Sequence, residues 1–157
     1  MTGAPAAPTG TSAPAAAGDA VVIGEMRDAD VEGVVALWEA CDLTRAWNDP
    51  HRDVAAARRN PTSTVLVARD GDTVVGSAMA GYEGHRGWLY YVAVAPGRRG
   101  TGLGRQVVTA AEDWLHAAGA HKVRLMVRTT NTAVLGFYAG LGYTDAGCTV
   151  LGRDLSR

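Results

Sequence analysis

The chain has 157 residues, a net charge of −1, four histidines and two cysteines. That length suits one domain with a core of its own, and the near-neutral balance excludes a global field that would recruit nucleic acid or an anionic membrane. No apolar run approaches the roughly 20 residues of a membrane helix, the scattered histidines have no metal-ligand spacing, and Cys41 and Cys148, far apart and without a CxxC partner, read as reduced thiols of a cytoplasmic protein.

Residues 2–18 are only Ala, Pro, Gly, Ser and Thr. Such a stretch has too little apolar bulk to offset its ordering entropy, and it lacks the basic start and continuous apolar run of a signal peptide. Residues 1–19 are therefore expected to form a disordered tail and residues 20–157 a single folded domain. Ala20 to Met26 reads as a first strand. Asp28 or Asp30 can cap a helix through Cys41, whose stripe is Val31, Val34, Val35, Trp38 and Cys41. Asp49 before Pro50 signals a cap and first turn, so a second helix runs to about Arg59, where Asn60-Pro61 ends it. Thr64 to Arg69 and Thr73 to Gly81 are strands joined by the turn Asp70-Gly71-Asp72. Tyr82 to Gly87 is the next turn, and Trp88 to Val94 is a buried strand.

The stretch after that strand carries the chemistry: Val94-Ala95-Pro96-Gly97-Arg98-Arg99-Gly100-Thr101-Gly102-Leu103-Gly104-Arg105. It opens a long helix with Leu103, Val107, Val108, Ala111, Trp114, Leu115 and Ala118 on one face, closed by Gly119. Glycines let backbone approach a ligand, and a helix start leaves amide N–H groups unpaired at a partial positive charge. Strand, glycine loop and helix start together read as a pyrophosphate cradle, with Arg98, Arg99 and Arg105 adding charge. The spacing is neither Gly-Lys-Ser/Thr nor G-x-G-x-x-G. Lys122 to Val127 then forms a fifth strand, Asn131 to Ala139 a short helix, and about Thr144 to Gly152 a last strand. The order β-α-α-β-β-β-α-β-α-β predicts an α/β (α+β) domain with a mixed, mostly antiparallel sheet flanked by helices.

The loop Arg99-Gly100-Thr101-Gly102-Leu103-Gly104 resembles the acetyl-CoA loop of the GNAT N-acetyltransferases, and the element order is similar to the GNAT fold over residues 20–155. The resemblance implies that Arg99, Gly100, Thr101, Gly102, Leu103, Gly104 and Arg105 bind the diphosphate of acetyl-CoA. It also implies that the strand end Val92-Ala93-Val94 lends its backbone to the pantetheine arm and thioester carbonyl, where charge develops during transfer. A second motif, Asn131-Thr132-Ala133-Val134-Leu135-Gly136-Phe137-Tyr138 with Leu141-Gly142-Tyr143, is similar to the GNAT N-x-x-A-x-x-x-Y segment. Through it, Asn131 is implied to bond the pantetheine or help cap the helix, and Tyr138 to protonate the departing thiolate. Trp47-Asn48-Asp49-Pro50, the turn Gly81 to Gly87 and Tyr90-Tyr91 resemble the YpeA-like subgroup of small bacterial GNAT proteins.

The activity implied by the resemblance is acetyl transfer from acetyl-CoA, without a metal, to a primary amine by direct attack in a ternary complex. The acceptor is a small molecule, or alternatively a protein N-terminus or lysine; a third alternative is an acyl-CoA-binding sensor without turnover. Asp42, Trp47, Asp49, His85 and Tyr90 are expected to border the acceptor. The resembling ribosomal-protein alanine N-acetyltransferases carry a Glu on the fifth strand five residues before the Asn; here Met126 stands there. Glu83 is expected to serve as base instead, with His85 and Tyr90 behind it. GNAT domains often form homodimers, and neither nucleic acid nor membrane is an expected partner.

Overall fold

The computed structural model describes residues 20–155, so the expected tail lies outside the described residues. The chain runs through β1 (Val22–Glu25), α1 (Val31–Ala40), α2 (Pro50–Arg59), β2 (Ser63–Asp70), β3 (Thr73–Tyr82), β4 (Gly87–Val94), α3 (Leu103–Ala117), β5 (Val123–Leu125) and α4 (Thr132–Ala139). Short 3-10 turns at Asp28–Asp30 and Pro96–Arg98 precede α1 and α3. The strands lie side by side in chain order. β1 to β4 are antiparallel neighbours, and β5 joins β4 in parallel after the α3 crossover. No helix among the described residues is long and apolar enough to cross a membrane.

Both faces of the sheet are covered, which is why the central strands are apolar on both sides. On one face Leu66, Ala68, Ala78, Ala80 and Leu89 pack against Leu103, Val107, Val108, Ala111 and Leu115 of α3 and against Tyr138 of α4. On the other, Val65, Val67 and Ala93 meet Val34, Leu37 and Trp38 of α1 and Val54 and Ala57 of α2. The alternation Val65, Leu66, Val67, Ala68 splits β2 between the two layers, as the two-residue period of a strand requires. α3 seats low on the sheet because of Gly87: a Cβ there would lie 2.8 Å from Leu115 Cδ1.

Local signals place the second helix and the hairpin. Asp49 caps α2, its carboxylate accepting from the His51 and Arg52 amides at 2.9 and 3.3 Å, with Pro50 at the first helical position. Gly71 sits at φ +58 in the turn between β2 and β3. Asp30 departs from its expected role. It makes no side-chain cap to α1; instead its buried carboxylate accepts from Arg69 Nε at 2.9 Å, from Arg69 Nη2 and from the Arg27 amide at 2.7 Å. Arg69 also donates to the Glu25 carbonyl at 2.8 Å, so this pair ties β1 and β2 to the start of α1.

The expected strand over residues 144–152 does not form, and residues 144–155 carry no regular structure. Gly147, inside the expected run, takes a φ of +63, which interrupts an extended backbone, and Val150 and Leu151 are left 65 % and 91 % exposed. The fifth strand also stops at Leu125, short of the expected Val127.

The Arg69 guanidinium beside Asp30 holds that carboxyl well below the usual carboxylate range. A depressed folded-state value stabilises above the unfolded-chain pKa of about 3.9 and loses that contribution as pH falls below it. Asp30→Asn, which leaves Arg69 buried and unpaired, is expected to cost about 3 kcal/mol at pH 7. In urea unfolding the gap from wild type should narrow steadily as pH drops below about 4.

Candidate functional site

The site begins with a fault in the sheet. Gly76 faces Val94 and Ser77 faces Ala93, but Met79 faces Tyr90, so the β3–β4 register shifts between Ser77 and Met79. The extra residue falls at Tyr91, whose φ of +48 lies in the left-handed region, a costly position for an aromatic residue. Three contacts hold it. The Trp38 ring stacks on Tyr91 with centroids 3.9 Å apart. Ser77 Oγ accepts from Trp38 Nε1 at 2.9 Å and donates to the Tyr91 carbonyl at 3.1 Å. The Tyr91 hydroxyl donates to Asp53 at 2.7 Å. Burial, with Asp53 beside it, pushes the Tyr91 phenol up to about 12.

The bulge bends β4 away from β5, whose pairing with it ends at Leu89–Leu125. Beyond that point the Ala95 amide bonds Val75. Strand alternation therefore turns the backbone groups of Val92 and Val94 to the opposite edge, where β5 has ended. Cys41 Sγ donates to the Val94 carbonyl at 3.4 Å there. A cleft of about 410 Å³ fills the splay, walled by Cys41, Val92, Leu125, Asn131, Val134 and Tyr138 among others. On its other side opens a cavity of about 960 Å³, walled by Trp47, Asn48, Asp53, Asn60, Tyr90 and Arg128 among others. Tyr90, Tyr91, Met126 and Arg128 line both spaces.

The glycine loop lies at the far end of β4. Gly100 and Gly102 take φ values of +75 and +85 with no atom within 4 Å of a notional Cβ, and this turn aims the chain into α3. The α3 start carries no side-chain cap and no acidic residue in its first turn. The amides of residues 100–105 have no acceptor among the described residues. Six consecutive donors at the positive end of a 15-residue helix form an anion cradle. Of the three arginines expected to charge it, Arg98 is turned away into an ion pair with Asp70. Arg105 donates to the Gly140 carbonyl at 3.1 Å, tying α3 to α4. Arg99 is exposed, its closest partner the Cys41 sulfur at 3.9 Å.

Tyr138 is 9 % exposed, and burial pushes its phenol up to about 12. It sits edge-on between Phe137 and Tyr143, and its hydroxyl has no hydrogen-bond partner among the described residues. Asn131 occupies the N-cap position of α4 without a side-chain cap and lines the smaller cleft. Of the residues expected to border an acceptor, Trp47 and Tyr90 line the large cavity and Asp42 the smaller cleft, where it pairs with Arg45 at 3.2 Å. Asp49 is committed to its helix cap. His85 and Glu83 are exposed on the β3–β4 turn and wall neither space. Glu83 accepts from the Arg86 amide at 3.1 Å and caps its own turn. The carboxylate in the large cavity is Asp53. No local signal marks it: one turn after Asp49 on α2, it reads as a favourable charge near a helix start.

A family model described as the acetyltransferase (GNAT) family matches residues 33–143. This chain belongs to the GNAT acetyltransferase family. An acetyltransferase of Pectobacterium atrosepticum is 43 % identical over 129 residues, covering 82 % of this chain and 92 % of that protein. An acetyltransferase of Yersinia pestis is 43 % identical over 126 residues, covering 80 % and 89 %. Among solved structures, an aminoglycoside N-acetyltransferase in complex with CoA superposes with a TM-score of 0.76 at 18 % identity, covering 90 % of this chain and 99 % of that one. The glucosamine-6-phosphate N-acetyltransferase of Arabidopsis thaliana gives a TM-score of 0.68 at 18 % identity, covering 88 % and 100 %. The mixed sheet and its flanking helices are thus the GNAT architecture, and the chain is an acyltransferase of that family.

Within this GNAT domain the bulge depends on Ser77. Ser77→Ala leaves both Trp38 Nε1 and the Tyr91 carbonyl without a partner. The expected cost is about 2 kcal/mol in urea unfolding, with faster hydrogen exchange at the amides of residues 91–94 than elsewhere in β4.

Proposed function

We propose that this chain transfers the acetyl group of acetyl-CoA to a primary amine by direct attack in a ternary complex. The observation that carries this reading is the run of unpaired amides over residues 100–105, set at the end of a strand splay whose wall holds Tyr138. A diphosphate fits this cradle: the donors are backbone, the helix end is positive, and no carboxylate stands in the first turn. Bound there, acetyl-CoA supplies the acyl group as a thioester. Gly100, Thr101, Gly102, Leu103, Gly104 and Arg105 hold the phosphates, with Arg99 beside them. The backbone groups of Val92 and Val94 line the pantetheine path, those of Ala93 being turned instead to β3 opposite Ser77, and amides on the free edge of β4 polarise the thioester carbonyl. Asn131 contributes a side-chain contact from the α4 end of the cleft. Tyr138 protonates the leaving sulfur. Its raised pKa keeps the phenol protonated across the working range, so it serves as donor and not as base.

The acceptor enters the larger cavity, which meets the donor cleft at Tyr90, Tyr91, Met126 and Arg128. Asp53 replaces Glu83 as the carboxylate facing the amine, because Asp53 walls this cavity and Glu83 does not. Its charge holds the ammonium beside Tyr91, and the proton leaves along that carboxylate as the amine becomes nucleophilic. Alignment of donor and acceptor accounts for most of the acceleration. Small amines are the acceptors this reading favours, a preference that the aminoglycoside and sugar-amine acetyltransferases of the same fold support.

Calorimetry with CoA tests the cradle. Wild type should bind, and Gly102→Val, which forces a β-branched residue to φ +85, should weaken binding at least tenfold; no binding by wild type overturns the reading. In steady state with any accepted amine, Tyr138→Phe should lower kcat about 100-fold without weakening CoA. Asp53→Asn should lower kcat/KM while Glu83→Gln leaves it unchanged. CoA binding without thiol release over a broad amine panel would favour a sensor over an enzyme.

A further inference from the structure

The walls of the acceptor cavity carry an unexpected charge. A site for a polyamine or an aminoglycoside needs several carboxylates, one for each ammonium it desolvates. Among the described residues this cavity has a single carboxylate, Asp53, against two guanidinium groups, Arg45 and Arg128. Arg45 is already neutralised: it donates to the Asp42 carboxylate at 3.2 Å and to the Asp42 and Thr44 carbonyls at 2.8 and 2.6 Å. The Arg128 guanidinium has no hydrogen-bond or ion-pair partner among the described residues, the residue's only bond being the backbone carbonyl's, from the Asn131 amide at 2.8 Å. It lies three residues beyond the end of β5, on the rim where the cavity meets the donor cleft. The expected acidic wall has gone elsewhere, with Asp42 paired to Arg45, Asp49 in its helix cap and Glu83 in its turn. The same cavity carries apolar surface: Trp47 is 75 % exposed and Met126 50 % exposed.

We infer that the acceptor is a monoamine that also bears an anionic group. Its ammonium is held by Asp53, its carboxylate or phosphate by the free fork of Arg128, and its apolar body by Trp47 and Met126. A guanidinium fork pairs with either oxyanion in two parallel hydrogen bonds. Polycations are rejected because a second ammonium would face arginine. Met126 belongs to the same logic: in place of a carboxylate, a thioether on β5's extension leaves the Arg128 charge uncompensated. This inference rests on the acetyl-transfer reading and extends it to the acceptor's chemistry.

The test compares matched amines on the full chain loaded with CoA. Calorimetry and initial rates would be run with L-phenylalanine against 2-phenylethylamine, and with glucosamine-6-phosphate against glucosamine, with spermidine as the polycation. At least one anionic member should bind, or turn over in kcat/KM, at least tenfold better than its neutral partner, and which pair responds separates carboxylate from phosphate. Arg128→Gln should bring the ratio of anionic to neutral amine down to about one, and Arg128→Lys should restore part of the preference. Equal or better use of the neutral amines or of spermidine, or no binding of any anionic member, overturns the inference. So does an Arg128→Gln variant that loses CoA affinity instead, since Arg128 would then serve the donor. Failure of wild type to bind CoA at all would sink the acetyl-transfer reading first, and is seen separately.

Discussion

The site depends on one unfavourable backbone conformation. Tyr91 at positive φ costs on the order of 1–3 kcal/mol, and the chain holds it there from three directions: a stacked indole, a serine bridge and a carboxylate. Without the bulge, β4 and β5 would continue their ladder, and the open edge of β4 along the cleft would be consumed by hydrogen bonds. With it, the sheet opens while both flanking cores stay closed. The residues that hold the bulge belong to α1, α2 and β3, so two helices on the sheet face opposite α3 shape the cleft between β4 and β5.

The same point divides the labour of the two spaces. On the donor side of the proposed reaction, recognition would be mainly backbone: amides at the head of α3 and along the free edge of β4. Backbone donors tolerate many side-chain identities, which suits a coenzyme shared across a family. On the proposed acceptor side recognition would belong to side chains, from α2, the loop before it, and the segment after β5. Tyr90 and Tyr91 stand between the two, each a wall of both.

How much of this the sequence carries depends on the range of the interaction. The cap at Asp49, the Asp70-Gly71-Asp72 turn and the α3 stripe are local and legible: each rests on residues within a turn or two of one another. Asp30 is not, because its partner Arg69 lies 39 positions away, and a lone Asp before a helix looks like a cap. Arg98 resembles a phosphate ligand for the same reason, since nothing nearby shows that Asp70 claims it. The residue holding the bulge, Ser77, looks like any polar residue in a strand. Asp53 is harder to see than Glu83 because a carboxylate in a glycine-rich turn looks poised, whereas one inside a helix looks solvated; the folded chain reverses those positions. The unformed strand over residues 144–152 has the right alternation, but a strand also needs a neighbour and an unbroken extended backbone, and Gly147 denies it the second.

Gly87 fixes α3 at the end opposite its cradle, through contact with Leu115. A helix of 15 residues is about 22 Å long, so it behaves as a lever pivoted beneath its last turns. A tilt of roughly five degrees at that pivot would sweep the leading amides by about 2 Å, most of the length of a hydrogen bond. One glycine of the sheet therefore sets the aim of amides at the molecule's other end, and a methyl group added there would misdirect the helix without touching any residue of the cleft.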